Sequence, residues 1–181
     1  MTNFHPPGSP NRRREELRVH LKLIDDGVGP VLTKYREHIQ CAPGCSDCCS
    51  QQFSVSELEA ERLRDGLAEL SDTERDDIGG RASTHAPGQP CPVLSSQGRC
   101  RLYEHRPRIC RKYGIPLWDP GQPERVRTCP LNFRGVTDID QSLIVDPQAM
   151  WAAEWIGLRQ RLNLGPQDNR TIAEWLAIGS S

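Results

Sequence analysis

The sequence predicts a small, single-domain protein that is mainly α-helical and rich in loops, and two observations carry this prediction. Apolar residues recur at spacings of three and four in several separate segments, a pattern typical of helices with one buried face. Only 36% of the 181 residues are hydrophobic, and the chain contains 15 prolines and 15 glycines. We therefore expect short helices joined by long loops around a lean core.

The first helical segment covers residues 12–40 and follows a proline-containing tail, residues 1–11, that we expect to be disordered. Its apolar positions lie on one helix face: Leu17, Leu21, Ile24, Val28, Leu32, Tyr35 and Ile39. The stretch from Asp25 to Pro30 contains two glycines and a proline, so we expect it to separate two helices by a kink.

Capping signals predict the helices in the middle of the chain. Ser54 and Ser56 each stand three residues before a glutamate and precede an apolar stripe, so either can begin a helix with a capping box. Ser71 repeats this signal for a shorter helix, which we expect to end at Gly79–Gly80. Residues 83–98 hold proline, glycine and serine and predict a loop.

Residues 131–181 are expected to form a helical extension that packs on the same domain. A short strand is predicted at residues 142–145, and Asp146–Pro147 then predicts the N-cap and first position of a helix. Thr171 stands three residues before a glutamate and opens a last short helix. We expect the three tryptophans of this region to be core or interface anchors: Trp151, Trp155 and Trp175.

Charge and hydropathy exclude several classes of protein. The formal net charge is −1, which disfavours a nucleic-acid partner or a membrane surface. No run approaches 18 apolar residues, and the N-terminal residues lack the apolar region of a secretory signal. We therefore expect a cytoplasmic protein. Because the cytoplasm is reducing, this location favours metal binding by the cysteines over disulfide bonds.

Four of the eight cysteines lie in one nine-residue stretch, CAPGCSDCC. Its spacing, Cys41-x3-Cys45-x2-Cys48, lets a tight loop direct several thiolates at one centre, as zinc sites and iron–sulfur clusters require. Neighbouring residues rarely bind one tetrahedral ion together, so we expect only one of Cys48 and Cys49 to bind it directly. The remaining cysteines are Cys91, Cys100, Cys110 and Cys129.

A basic segment accompanies the later cysteines. Residues 99–112 contain six basic side chains: Arg99, Arg101, Arg106, Arg108, Arg111 and Lys112. The sequence leaves three interpretations open. The segment could bind phosphates, it could compensate thiolate charge or bind an anionic substrate, or it could be a solvated helix face.

The cysteines and their neighbours together resemble a known family. Beyond the first cluster, the sequence contains Cys91-Pro92, Gly98-x-Cys100-x-x-Tyr103 and Arg106-Pro107-x-x-Cys110-Arg111. This ordered motif over residues 41–130 resembles the YkgJ-like cysteine-cluster family of zinc- or iron-chelating domains. The resemblance implies a cytoplasmic domain that binds metal through its cysteines, and it does not imply a reaction.

Candidate metal ligands follow from the spacing and the resemblance together. We expect three ligands in the first cluster and a fourth in the Arg-Pro-x-x-Cys-Arg segment: Cys41, Cys45, Cys48 and Cys110. The other four are alternative ligands or belong to a second site: Cys49, Cys91, Cys100 and Cys129. We expect three neighbouring side chains to hydrogen-bond to the thiolates or to compensate their charge: Tyr103, Arg106 and Arg111.

The expected function is metal binding, with zinc or a [4Fe–4S] cluster as the cofactor. One alternative is an iron–sulfur enzyme or electron-transfer protein, with a methyl-transfer-like role because flagellin lysine methylases contain a similar cluster. A second is a thiol redox protein that uses the pair Cys45-x-x-Cys48. A hydrolytic zinc site usually has histidine or carboxylate ligands, and His105 is the candidate histidine between the later cysteines. The sequence leaves open whether the protein is an enzyme and whether it has a protein partner.

Overall fold

The computed structural model describes residues 9–119, 121–122, 126–166 and 168–177. Helices predominate in this part of the chain and the strands are two or three residues long, which confirms the mainly α prediction. In chain order the elements are α1 (Pro10–Lys34), β1 (Ser54–Ser56), α2 (Glu57–Ala68), α3 (Asp72–Ser83), α4 (Arg108–Lys112), β2 (Leu117–Trp118), β3 (Val126–Arg127), α5 (Val145–Arg161), β4 (Asn169–Thr171) and α6 (Ile172–Ala177). Short 3₁₀ turns lie at Arg36–His38, Asp47–Ser50, Tyr103–His105 and Gln141–Leu143.

The chain forms two compact units. Unit 1 combines residues 1–41 with residues 111–166, and unit 2 combines residues 42–110 with residues 167–181. Both units are therefore built from two separate stretches of chain. The extension expected at residues 131–181 is divided between them.

Unit 1 is built on the pair α1 and α5, which contribute to one apolar core. Gly27 of α1 lies against Trp151 of α5, where a Cβ at the glycine would be 2.5 Å from Trp151 Cζ2. The glycine therefore leaves the space that the indole ring fills. Trp151 and Trp155 are 3% and 5% exposed, which confirms the core position predicted for them.

A single helix, α1, replaces the two helices expected on either side of a kink at Asp25–Pro30. Pro30 has no N–H to bond to the preceding turn, so the helix loses one hydrogen bond there. Burial offsets this loss, because Val28 and Val31 on either side are at most 6% exposed. Leu32, predicted on the buried face, is 44% exposed, and Val31 takes its place in the core.

Unit 2 is built on α2, α3 and α6, which pack around a second apolar core. Strand β1 pairs antiparallel with β4, with Ser54 opposite Thr171, and this pairing joins the two stretches of the unit. Trp175 reinforces the junction, because its Nε1 donates a hydrogen bond to Val55 O at 2.9 Å. The buried core residues are Val55, Ala60, Leu63, Ile78, Ala82, Val93, Leu102, Ile172, Trp175 and Leu176.

The predicted capping boxes are present in unit 2. Their residue pairs are Ser56 with Glu59 at α2, Ser71 with Glu74 at α3, and Thr171 with Glu174 at α6. Of the two serines that could begin α2, Ser56 is the cap and Ser54 lies in β1. Helix α3 ends at Ser83 and not at Gly79–Gly80, because Ile78 and Ala82 on either side of the glycines are buried in the core.

The segment before α5 differs from its prediction. The strand expected at residues 142–145 is instead the 3₁₀ turn Gln141–Leu143, followed by the first residue of α5. Asp140 stabilises this turn by accepting a hydrogen bond from the Ser142 N–H at 3.0 Å. Because α5 begins at Val145, the pair Asp146–Pro147 lies within its first turn and does not cap it.

Residues 1–8 of the predicted tail lie outside the described residues, and residues 10 and 11 belong to α1. Ser9 precedes the helix and caps it, because its Oγ accepts a hydrogen bond from Arg12 N at 3.4 Å. None of the helices in the described part of the chain combines the length and the apolar character that a membrane span requires.

Candidate metal centre

Six of the eight cysteines belong to unit 2, and three of them lie in its first loop. Cys45 closes a tight turn in which its N–H donates to Ala42 O at 2.9 Å and Gly44 has a φ of +95°. Cys48 and Cys49 lie in the 3₁₀ turn Asp47–Ser50. These turns present three half-buried thiols within five residues.

A backbone hydrogen bond brings the first loop to the later cysteines. The N–H of Cys91 donates to Cys49 O at 2.7 Å, although 41 residues separate the two in the sequence. Cys91 begins the segment Cys91–Leu94, and Leu94 forms an antiparallel bridge with Cys100. One short hairpin therefore carries Cys91 and Cys100 beside the turn that holds Cys49.

The tip of this hairpin also touches the first loop. A Cβ at Gly98 would lie 2.9 Å from Gly44 O, and Gly98 has a φ of +71°. Gly98 therefore needs glycine, because no side chain fits between its backbone and Gly44 O. Gly44 favours glycine for its positive φ alone, since a Cβ there would be 4.0 Å from the nearest atom, Gln97 O. This close approach fixes the loop of Cys45 against the hairpin of Cys100.

Cys110 lies in the short helix α4 and packs against the apolar core of unit 2, as do Cys91 and Cys100. We call Cys48, Cys49, Cys91, Cys100 and Cys110 the thiol group, because electrostatic interactions connect these five side chains.

Burial sets the acidity of three thiols in the group. It raises the pKa of Cys91 to about 11 and raises the pKa values of Cys100 and Cys110. Negative charge on neighbouring cysteines raises each of these pKa values further. Joint ionisation of the three thiols is therefore unfavourable, and a bound cation would favour it by compensating their charge.

Cys48 and Cys49 differ from Cys91, Cys100 and Cys110 because their side chains share a hydrogen bond. The Cys49 thiol donates to Cys48, which lowers the pKa of Cys48 and raises that of Cys49. The two adjacent cysteines are therefore not equivalent, and Cys48 is the one that carries charge more readily.

The chemistry of the thiol group fits zinc or iron, since both metals take several thiolate ligands. The arrangement of these side chains fits a metal ion less well than their chemistry does. Within the described residues, no three or more His, Cys, Asp or Glu side chains are arranged as the ligands of one metal ion. The thiol group is a set of neighbouring candidate ligands, and its side chains must turn toward a common point to bind a metal.

The other two cysteines belong to unit 1. Cys41 is exposed, and the side-chain amide of Asn132 donates to its Sγ at 3.3 Å. Cys129 is buried and begins a turn in which Asn132 N donates to its carbonyl at 2.9 Å. Of the four ligands expected from the sequence, Cys45, Cys48 and Cys110 lie in unit 2 and Cys41 does not.

Arg106 places positive charge near the thiol group. Its charge acts to lower the pKa values of Cys48, Cys100 and Cys110, against the opposing effect of burial. The guanidinium lies 3.5 Å from the ring centroid of Tyr103, and its Nε donates to Tyr103 O at 2.9 Å. Tyr103 is 55% exposed, so its ring acts here as a support for Arg106.

Several other arginines of the basic segment are engaged within the protein. Arg101 pairs with Asp77 at 2.6 Å, and Arg108 pairs with the buried Glu59. In unit 1, Arg111 pairs with Asp25 of α1. These contacts support an internal role for this charge and weaken the interpretation of the segment as a phosphate-binding surface.

His105, the histidine considered for a hydrolytic site, lies against α2. Its Nε2 is 3.0 Å from Glu69 Oε2, and a Cβ at Gly66 would be 2.6 Å from its ring. The glycine therefore provides the space in which the imidazole ring packs. These contacts give His105 a structural place on α2.

Sequence reasoning missed four polar residues that shape these surroundings: Glu59 as a partner of Arg108, Asp77, Arg81 and Asn132. Each acts on a residue far away in the sequence, so no local spacing announces the contact. The capping box marks Glu59 as a helix-capping residue, but it does not predict the contact of Glu59 with Arg108.

The helical fold and the thiol group define a class: small proteins whose loops gather cysteines of the kind that bind zinc or iron. A family model named CxxCxxCC and described as “Putative zinc- or iron-chelating domain” matches residues 40–130, about half of the chain. The chain belongs to this family, which confirms the resemblance seen in the cysteine spacing. No curated protein and no solved structure matches the chain.

Proposed function

We propose that this protein chelates zinc or iron through the thiol group of unit 2. The hydrogen bond from Cys91 N to Cys49 O carries this proposal, because it joins the two cysteine-bearing loops. It brings together thiols that resist joint ionisation unless a cation is present. All eight cysteines are free thiols, which suits a reducing compartment such as the cytoplasm.

The proposed ligands are Cys48, Cys91, Cys100 and Cys110. Cys48 is preferred over its neighbour because the hydrogen bond from Cys49 favours the charged form of Cys48. Cys49 then remains as a hydrogen-bond donor to a ligand. This set shares Cys48 and Cys110 with the sequence-based set, and it replaces Cys41 and Cys45 by Cys91 and Cys100.

The residues around the ligands have separable tasks. The apolar core behind the hairpin partly shields the half-buried thiols from water, and Arg106 compensates part of their negative charge. Bound zinc would cross-link the loops, whereas a bound iron–sulfur cluster would also exchange electrons. The hairpin and the 3₁₀ turn bring the thiols near one another, and rotation of their side chains would complete a site for either.

The experiment that tests this function is metal and sulfide analysis, with a visible absorption spectrum, on protein purified without oxygen. Stoichiometric zinc in colourless protein supports a thiolate zinc site. Iron with acid-labile sulfide in brown protein supports a cluster and directs attention to electron transfer. Folded protein that retains neither metal, and binds neither when it is added, overturns the proposal.

Single cysteine variants distinguish the two ligand sets. Cys91→Ser and Cys100→Ser should lose bound metal if the thiol group of unit 2 is the site. Cys41→Ser and Cys45→Ser should then retain metal close to the wild-type level. The opposite pattern would favour the ligands expected from sequence spacing, with Cys48→Ser and Cys110→Ser losing metal in both cases.

A further inference from the structure

Two arginine side chains cover every carbonyl of the segment Cys91–Leu94. Arg81 donates from Nη2 to Cys91 O at 3.3 Å and from Nη1 to Leu94 O. Arg101 donates from Nη2 to Pro92 O at 3.3 Å and from Nε to Val93 O at 3.4 Å. Cys91 O also accepts the Leu94 N–H, and Val93 O also accepts the Arg101 N–H, both at 3.0 Å. The two guanidinium groups therefore reinforce a backbone turn and bridge, and they also bond to Pro92 O and Leu94 O.

Asp77 connects the two arginines to a rigid element. Its Oδ2 lies 2.6 Å from Arg101 Nη2 and 3.9 Å from Arg81 Nη1. Asp77 and Arg81 are four residues apart and therefore share one face of α3. These contacts hold Cys91–Leu94 against α3, a twelve-residue helix whose Ile78 and Ala82 are buried in the core.

We propose that Asp77, Arg81 and Arg101 are positioning residues that hold Cys91 and Cys100 in place for metal binding. We call these three side chains the clamp. Cys91 is the first residue of Cys91–Leu94, the segment that the clamp holds. Cys100 is the bridge partner of Leu94, the last residue of that segment, and it immediately precedes Arg101. The clamp therefore fixes the two thiols relative to each other. The inference rests on the proposed function, because it assigns both thiols to the metal site.

The fork geometry of arginine explains why this residue type is needed. One guanidinium offers several N–H groups in a plane and can bond two carbonyls three residues apart, whereas a lysine ammonium is a point donor on a flexible stem. The positive charges of both arginines also lie near the thiols, where burial works against the charged form. Loss of the clamp should thus affect metal binding more than it affects the core.

The test compares wild type with Asp77→Asn and Arg81→Gln, with Asp76→Asn as the matched control. Asp76 is the neighbouring carboxylate on α3 and is exposed. In protein treated with chelator, alkylation of each cysteine is followed by mass spectrometry under native conditions. We expect Cys91 and Cys100 to react several-fold faster in both clamp variants, with Cys45 unchanged and with Asp76→Asn like wild type.

Metal affinity provides the second readout, with zinc or cobalt(II) as the probe. We expect about tenfold weaker binding in the clamp variants, in line with other groups that orient metal ligands. The cobalt(II) spectrum should show weaker thiolate charge-transfer absorption in these variants. Arg81→Lys should lie between wild type and Arg81→Gln, because it keeps the charge and loses the fork.

The outcomes separate this inference from the proposed function. Wild-type alkylation rates and metal affinity in both clamp variants would overturn the clamp. An equal rise in the reactivity of all cysteines would indicate general destabilisation and would also overturn it. If wild type itself binds no metal, the proposed function fails, while faster alkylation confined to Cys91 and Cys100 would still demonstrate the clamp. Arg81→Lys, the mildest change, serves if the other variants do not fold.

Discussion

Glu59 accepts a hydrogen bond from the backbone N–H of Arg108 at 3.0 Å, across 49 residues of sequence. The same carboxylate completes the capping box of α2 with Ser56, and it is only 3% exposed. A buried charge with partners on both oxygens is well satisfied. It also ties α2 to the helix that carries Cys110.

Glu59→Gln should therefore destabilise the protein by about 2 kcal/mol, because the amide cannot accept on both sides and leaves a buried donor unpaired. Urea unfolding followed by circular dichroism measures this change. Glu74→Gln is the matched control, since Glu74 forms the same capping box on α3 at a partly exposed position. A loss of equal size in both variants would show that the contact to Arg108 contributes nothing.

Gly98→Ala should destabilise the protein more than Gly88→Ala does. Both glycines have positive φ values, +71° and +84°, so both substitutions carry backbone strain of about 1 kcal/mol. Only at Gly98 does the new methyl group meet backbone, 2.9 Å from Gly44 O, and we expect this to add about 1–2 kcal/mol. Unfolding midpoints and bound metal report the difference, and equal midpoints would argue against the close contact of the two turns.

Asn132→Ala should cost about 1–3 kcal/mol in unit 1, because it removes a buried hydrogen bond to the Gly114 carbonyl and a part-buried one from the Gln40 N–H. The Asn132 side chain donates to Gly114 O at 2.7 Å and accepts from Gln40 N at 2.8 Å. Asn132→Asp provides a sharper test by urea unfolding. It keeps the acceptor for Gln40 but places a second oxygen against the Gly114 carbonyl, so a fully tolerated aspartate would contradict this orientation of the amide.

Removal of metal by a chelator should loosen the cysteine loops and leave the helices of unit 2 in place. The fully buried residues of the core around Ile78 and Trp175 do not include a cysteine, and Cys91, Cys100 and Cys110 pack only at its edge, so helix packing depends little on the metal. Hydrogen exchange should accelerate in residues 42–53 and 84–107, with little change in α2 and α3. Complete loss of helical circular dichroism would contradict this and would make the metal the main source of stability.

Local signals predicted much of the helical structure. Capping boxes at Ser56, Ser71 and Thr171 mark the starts of α2, α3 and α6, because a cap depends on residues within one turn. Glycine and proline residues, which usually interrupt helices, were a poor guide to the helix boundaries. Asp25–Pro30 and Gly79–Gly80 lie inside continuous helices, since burial of the flanking side chains outweighs the local cost.

The sequence predicts that the candidate site binds a metal through cysteines. Which of the cysteines bind the metal stays a prediction. The density of cysteines in residues 41–49 indicates a metal, since that inference needs only composition and spacing. The neighbours of each thiol depend on contacts such as Cys91 N to Cys49 O, which join distant segments and leave no local trace. For the same reason the basic segment could not be interpreted before the partners of Arg101 and Arg108 were known.

Unit 2 is formed from two stretches that lie far apart in the chain, and this affects its folding during synthesis and in truncated proteins. During synthesis, residues 42–110 emerge from the ribosome long before Ile172, Trp175 and Leu176, which complete their core. The nascent cysteine loops must remain without a finished scaffold during that interval, open to premature metal capture or to chaperones. A truncated protein limited to residues 40–130 would lack these core residues throughout. We therefore expect that the span matched by the family model does not fold alone.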